Sequence, residues 1–360
     1  ALIGITYLSV QAALFYLESD LAAAILTAVC FIGTIVSLFI LKNRNLRHTV
    51  LCFCLTAAFA STIFSGYNIF VKQPIVDKYS EREIYVTATV FEQPTVQYDT
   101  YRYLIETDSI NGKIEKLKIC LSTINELNVE EFDRISCVLP LKECTKSQMI
   151  ADGAFLQASV NKNFAYIVKN TDDKPLYYQA LKIRENFADS FEQNMSQDCA
   201  SLCRAVLLGE KTALSQEIQN DFTRCGVSFL IVVSGMHLAI ISSFVFLCIK
   251  KIIKNRVLRS MIMLICAFSF MAVTGFAPSV VRAGVMLAVV YSGKMFMRKG
   301  DSLNSLGIAA LILTVPNPTA VADVGMLLSF TATLGIILWA RKITVYITVS
   351  YTHLTLPTIA

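Results

Sequence analysis

With 54% hydrophobic and only 16% charged side chains in 360 residues, the chain departs from the soluble norm of about 25% charged. Several apolar runs of 17 residues or more instead predict an α-helical, multi-pass membrane protein. The net charge of +5 is modest and says little about partners until it is placed by segment. The first run, Ala1 to Leu17, lacks a basic leader and a small-residue cleavage site. It therefore reads as a membrane segment whose natural start is expected upstream, not as a signal peptide. Eleven cysteines are spread without metal-ligand spacing, and Cys52 and Cys54 lie inside an apolar run, so most read as small apolar fillers.

Leu21 to Leu41 and Thr49 to Val71 are the next two predicted spans. An acidic loop (Glu18 to Asp20) precedes them and a basic loop (Lys42 to Arg47) separates them. Cytoplasmic loops are enriched in Lys and Arg, so the basic loop is placed inside and residues 73–226 outside the cytoplasm. Residues 73–170 then change character. Ile84, Val86, Ala88 and Val90 alternate with Tyr85, Thr87 and Thr89, the period of a half-buried strand. Tyr101 to Glu106, Lys113 to Leu121, Arg134 to Leu141 and Ala154 to Tyr166 complete about five strands, and Asn111 with Gly112 marks a hairpin turn. The count predicts an OB-like all-β domain, a fold that often binds nucleic acid. Tyr98, Tyr101 and Tyr103 fit a stacking surface, while the near balance of acids and bases fits a plain β-domain. Outside the cytoplasm a disulfide among Cys120, Cys137 and Cys144 is permitted, and three buried free thiols is the alternative.

Residues 175–226 are mixed in charge and helical in period, with Leu181, Phe187, Phe191 and Met195 suggesting a face for the membrane surface. Gly209 to Ser215 reads as a turn and helix start; no strand precedes it, so a nucleotide loop is rejected. The run Cys225 to Ile249 is long enough to cross a bilayer, yet it carries Ser234, Gly235 and His237 in its first half. Four further runs follow: Ser260 to Phe276, Val280 to Met297, Leu303 to Val315 and Ala320 to Ala340. Their basic flanks (Lys250 to Arg259, then Lys294, Arg298 and Lys299, then Arg341 and Lys342) all fall on one side, which supports about eight spans.

This topology places Ser234 and His237 about 10–15 Å into a helix entering from outside, at 1.5 Å per residue. Arg282 and Asp323 lie at the outer starts of their helices. Together the four outline a polar vestibule, and bunched polar groups in a membrane helix mark a functional site by default. Ser234 and His237, at i and i+3, read as a hydrolytic dyad, a helix contact or the lining of a path. Arg282 reads as a snorkelling cation or as the group that meets an anionic substrate. Asp323 reads as a helix-start residue, or as the partner of Arg282. Asp301 and Ser302 are expected to cap the helix that contains Asn304. Histidines at 48, 237 and 353 form no metal cluster with the acids, and no metal or cofactor is expected.

These residues also carry a resemblance. Leu207, Leu208, Gly209, Leu214 and Ser215, then Phe222 to Val227 and Val233 to His237, closely resemble the competence domain of the ComEC/Rec2 family. Pro278, Arg282, Ala283 and Met286 are similar to its next motif. Asp301 to Asn304, Asn317 with Pro318, and Asp323 to Phe330 (with Gly325 and Ser329) and Gly335 match further ones in order. The resemblance implies passage of one DNA strand across the bacterial cytoplasmic membrane in natural transformation. It makes Ser234, Gly235, His237, Arg282 and Asp323 path or gate candidates, with Gly209, Pro278, Ala283, Asn304, Pro318, Gly325 and Ser329 structural. Single-stranded DNA, membrane lipids and other competence proteins are the implied partners, and a homo-oligomer is compatible with it. The nuclease domain of longer relatives has no counterpart here, so no enzymatic activity is carried over. The expected plan is three spans in 1–71, a β-domain in 73–170, an amphipathic segment in 175–226 and a competence-type membrane domain in 227–342. Residues 345–360 are expected to be a non-native tail, which sets His353 aside. The alternatives are an intramembrane serine hydrolase and an assembly platform for uptake proteins.

Overall fold

Where water is scarce, an apolar run satisfies its backbone by coiling into a helix, and most of this chain does so. The structure, a computed structural model, describes residues 2–17, 20–39, 44–91, 94–97, 100–129, 131–160, 165–169, 175–210, 214–297 and 301–354. Tyr98, Lys42, Arg298 and Lys299, used in the readings above, lie outside the described residues. In order, the chain forms α1 (Leu2–Leu17), α2 (Asp20–Phe39), α3 (Arg44–Tyr67), a π-helical turn (Asn68–Lys72) and α4 (Gln73–Tyr79). The strands β1 (Arg82–Val90), β2 (Thr95–Gln97), β3 (Thr100–Ile110), β4 (Lys113–Ile114), β5 (Lys118–Thr123) and β6 (Arg134–Glu143) follow. After α5 (Ser147–Ala151) come β7 (Leu156–Val160) and β8 (Tyr166–Lys169). Then come α6 (Leu176–Asn194), α7 (Gln197–Cys203) and α8 (Gln216–Arg224). The last part holds α9 (Gly235–Ile252), α10 (Arg256–Val273), α11 (Pro278–Met295), α12 (Ser302–Thr314) and α13 (Val324–Leu354). By its contacts the chain divides into two units, residues 1–63 with 296–360, and residues 64–295.

In the first unit α1 and α12 meet at glycines. A Cβ on Gly4 would stand 2.0 Å from the Gly307 carbonyl oxygen, so only glycine permits this approach. Continuing along, α1 packs on the 3-10 turn Pro318–Ala322 that follows α12, so the two helices run in the same direction. Polar side chains buried between the helices pair locally. Gln11 donates to the Tyr7 hydroxyl at 3.0 Å, and Thr27 of α2 donates to Ser61 of α3 at 3.1 Å.

Among the described residues, four helices are long and apolar enough to cross a membrane: Arg44–Tyr79, Gly235–Ile252, Arg256–Val273 and Val324–Val345. Leu2–Leu17, Ile25–Ile35 and Ser302–Thr314 are shorter apolar helices. The chain is thus a membrane protein with a β-domain. With 13 residues, α12 extends about 20 Å, short of the roughly 30 Å hydrocarbon core. The last span starts at Val324 and not at Ala320, because Pro318–Ala322 coils into its own tight turn.

The second unit holds the β-domain. Its sheet runs β1-β3-β5-β7-β6-β8 and closes through a β1–β6 pairing, an OB-type barrel with one parallel pair, β5–β7. Val86, Ala88, Ile105, Ile119, Leu121, Ile135, Leu139 and Leu156 fill it. Asn111 and Gly112 form the expected two-residue turn, at φ 48° and 78°. The run expected as a single strand over 113–121 is split. The Thr107 hydroxyl accepts from Leu117 N–H and donates to the Glu115 carbonyl, which holds the intervening backbone off the ladder. Residues 154–166 likewise divide between β7 and β8. Cys120, Cys137 and Cys144 are buried free thiols, and burial pushes the Cys137 thiol up to about 11.

Tyr103 is 1% exposed and its hydroxyl accepts the Leu127 N–H at 2.8 Å. Tyr103→Phe leaves that buried donor unpaired and is expected to cost about 1–3 kcal/mol. Hydrogen exchange on the full chain should then speed up in β3 and β5. Unchanged protection would show the bond to be dispensable.

Candidate functional site at a helix junction

The apolar run from Cys225 does not coil as one helix. Gly226 (φ 71°) follows the end of α8, Ser228–Ile231 makes a 3-10 turn, and Val232 and Ser234 are extended. Only at Gly235 does α9 begin. Ser234 is its N-cap residue, and His237, three positions on, reaches back as in a capping box. The Ser234 N–H donates to His237 Nδ1 at 3.1 Å, and Ser234 Oγ lies 3.1 Å from the same nitrogen. This corrects the expected depth: the two side chains occupy the first turn of a helix, not a point 10–15 Å inside one. It also gives their spacing a structural reason, since a helix start leaves N–H groups without intrahelical acceptors.

Neighbouring motifs converge on this start. The Ser279 hydroxyl, in the first turn of α11, donates to the Val233 carbonyl at 2.6 Å. Pro278 opens α11, where a missing N–H costs nothing. A Cβ on Gly235 would lie 2.7 Å from Ala283 Cβ, so α9 and α11 touch closely through Gly235 and Ala283. One on Gly284 would lie 2.3 Å from Met271 Sδ, which seats α11 equally close on α10. Val233, Leu238, Ala267 and Val280 form the buried cluster beneath. Gly209, left-handed at φ 83°, closes the group: a Cβ there would stand 3.5 Å from both the Thr274 carbonyl and Val233 Cγ2. Arg282 is part-buried on α11, next to Ala283.

The other motif residues lie in the first unit and do the same work. Asp301 Oδ1 accepts from Leu303 N–H at 3.0 Å to cap α12, and the Asn304 amide donates to Asp301 Oδ2 at 2.8 Å. Asn317 Oδ1 accepts from Thr319 N–H at 3.2 Å at the turn that buries Pro318. Asp323 Oδ1 accepts from Gly325 N–H at 2.9 Å at the start of α13, its expected helix-start role, and Ser329 donates to the Met326 carbonyl. Of the four residues expected to outline a vestibule, Ser234, His237 and Arg282 belong to one unit and Asp323 to the other. Among the described residues, no group of three or more His, Cys, Asp or Glu is placed to hold a metal ion.

Sequence reasoning missed Ser279 as a partner of Val233. Proximity to Pro278 was the signal available for it. It also missed the buried pair Arg184–Glu131 at 2.7 Å, for which a separation of 53 residues leaves no local sign. Burial raises the Glu131 carboxyl above its usual range, against the opposing charge and hydrogen bond of Arg184. Nearby, Arg204 pairs with Glu210 at 2.6 Å and with Glu192.

Residues 206–354 match the family described as "Competence protein". The chain is also similar to ComE operon protein 3 of Bacillus subtilis (strain 168), at 20% identity over 325 residues. That alignment covers 88% of the chain and 41% of the relative, so the chain spans about two-fifths of the relative's length. No solved structure matches the chain. The family match runs through residue 354, within α13, and so takes in the first part of the expected tail, 345–354.

If the junction is held by close approach, Gly235→Ala must push α9 away from α11, at about 1–3 kcal/mol for an overpacked site. Thermal unfolding in detergent should show the loss, and adding Ala283→Gly should restore most of it. A Gly235→Ala variant as stable as the parent would break the assignment.

Proposed function

We propose, from a chain that belongs to the ComEC/Rec2 competence proteins, that it serves DNA uptake by passing single-stranded DNA across the bacterial cytoplasmic membrane. The observation that carries this reading is the overlap of the competence match, 206–354, with α9, α10 and α13, three of the four helices long enough to cross a membrane. Loop charge supports a multi-pass arrangement with the β-domain outside, since basic residues 44–47, 250–259 and 341–342 then share the inner face. The parallel course of α1 and α12 agrees with it, because both helices must then run outward. In this arrangement Ser234 and His237 cap a helix that starts near the outer face, and Arg282 is the cation that greets a phosphate backbone. An OB-type barrel ahead of the entrance is suited to receive a single strand.

The proposed role is transport without catalysis. His237 Nδ1 already takes the Ser234 backbone N–H, which leaves it poorly placed to act as a base on the Ser234 hydroxyl. A serine-directed activity probe should leave Ser234 unlabelled; labelling that disappears in Ser234→Ala would revive the hydrolase reading. In a transformable host carrying the full-length gene, Arg282→Ala should lower DNA internalisation at least tenfold at normal membrane abundance, and His237→Ala should lower it too. Undiminished uptake in both variants would remove these residues from the path. Failure of the full chain to bind single-stranded DNA at low salt would favour an assembly platform as the role of the β-domain.

A further inference from the structure

Two buried or part-buried aromatic residues of the second unit hold a left-handed backbone: Phe132, in the loop before β6, at φ 68°, and Phe276, in the turn from α10 to α11, at φ 51°. That conformation costs a bulky L-residue about 1–2 kcal/mol, and it persists only where the surroundings over-determine it. Both rings pack on the same side chain, Tyr177 of α6, at centroid distances of 5.9 Å and 5.2 Å. Seven residues on, the same face of α6 carries Arg184, 8% exposed. Its guanidinium donates to Glu131, the neighbour of Phe132, at 2.7 Å. It also lies against Gly275, the neighbour of Phe276, where a Cβ would stand 3.0 Å from Nη1. Two adjacent residues of the β-domain and two adjacent residues of the helix turn thus meet the same two side chains of α6.

The turn leads directly to the junction. The Thr274 carbonyl faces Gly209, and Ser279, three residues past Phe276, holds the Val233 carbonyl. A shift of the Gly275–Phe276 turn therefore moves a hydrogen bond to the residue before the Ser234 cap. We propose that Tyr177 and Arg184 are positioning residues, a latch that ties the Glu131–Phe132 loop of the β-domain to the Gly275–Phe276 turn and so sets the start of α9. The use of such a latch, to couple strand capture to opening of the entrance, rests on the reading above; the latch itself does not.

Hydrogen exchange of the full chain in lipid nanodiscs tests it without DNA. Tyr177→Ala should raise exchange at least tenfold in residues 274–280 and 233–238, while β1, β3 and β5 keep their protection. Tyr177→Phe keeps the ring and should leave both segments protected. Tyr177→Leu, which retains bulk for folding, should follow the alanine pattern. Loosening confined to α6, equal loosening of the β-strands, or a phenylalanine variant as loose as alanine would overturn the latch. If uptake proves unrelated to this chain and the exchange pattern still holds, the DNA reading falls and the latch stands.

Discussion

A helix that starts in apolar surroundings must find acceptors for its first N–H groups, and this requirement explains the polar residues at the helix starts of the region that matches the competence family. Ser234 with His237 serves α9, Asp301 serves α12, Asn317 serves the turn after it, and Asp323 serves α13. The motifs are spaced along the chain because helices start there. Ser234, His237 and Asp323, which would be costly in the middle of a span, are instead set at helix starts, against donors that need them.

Close approach is the second constraint, and it depends on the first. Gly235 lets α9 lie on Ala283, and Gly284 lets α11 lie on Met271. Those contacts require the first turns of α9 and α11 to be in register, and the Ser279 hydroxyl on the Val233 carbonyl fixes that register. Gly209 brings the segment after α7 to the same spot. The result is a close-packed node with the capping His237 and the part-buried Arg282 beside it.

Much of this was legible in the sequence. Alternation at Ile84 to Val90 and the Asn111–Gly112 turn gave the barrel its strands, and Asp301 was readable as a cap from its place before an apolar run. What misled was hydrophobicity itself. Val227 to Val233 is apolar enough to read as helix, yet backbone direction there is set by Gly226, the Ser234 cap and contacts with α11, which are tertiary. The same holds for Pro318–Ala322, apolar but coiled tightly behind Asn317. The ties between β-domain and helices were out of reach. Glu131 and Arg184, or Tyr177 and Phe276, stand too far apart for any periodic signal to connect them.

The account turns on His237 serving as a cap. Its Nδ1 accepts the Ser234 N–H, so that nitrogen carries no proton and the ring is the Nε2–H tautomer. Nitrogen-15 magnetic resonance of histidine-labelled full chain in nanodiscs at neutral pH reads this directly, with His237→Gln assigning the signal. An unprotonated Nδ1 beside a protonated Nε2 is the predicted result. A proton on Nδ1, in the other neutral tautomer or in the cation, would contradict the cap and with it the junction built on it.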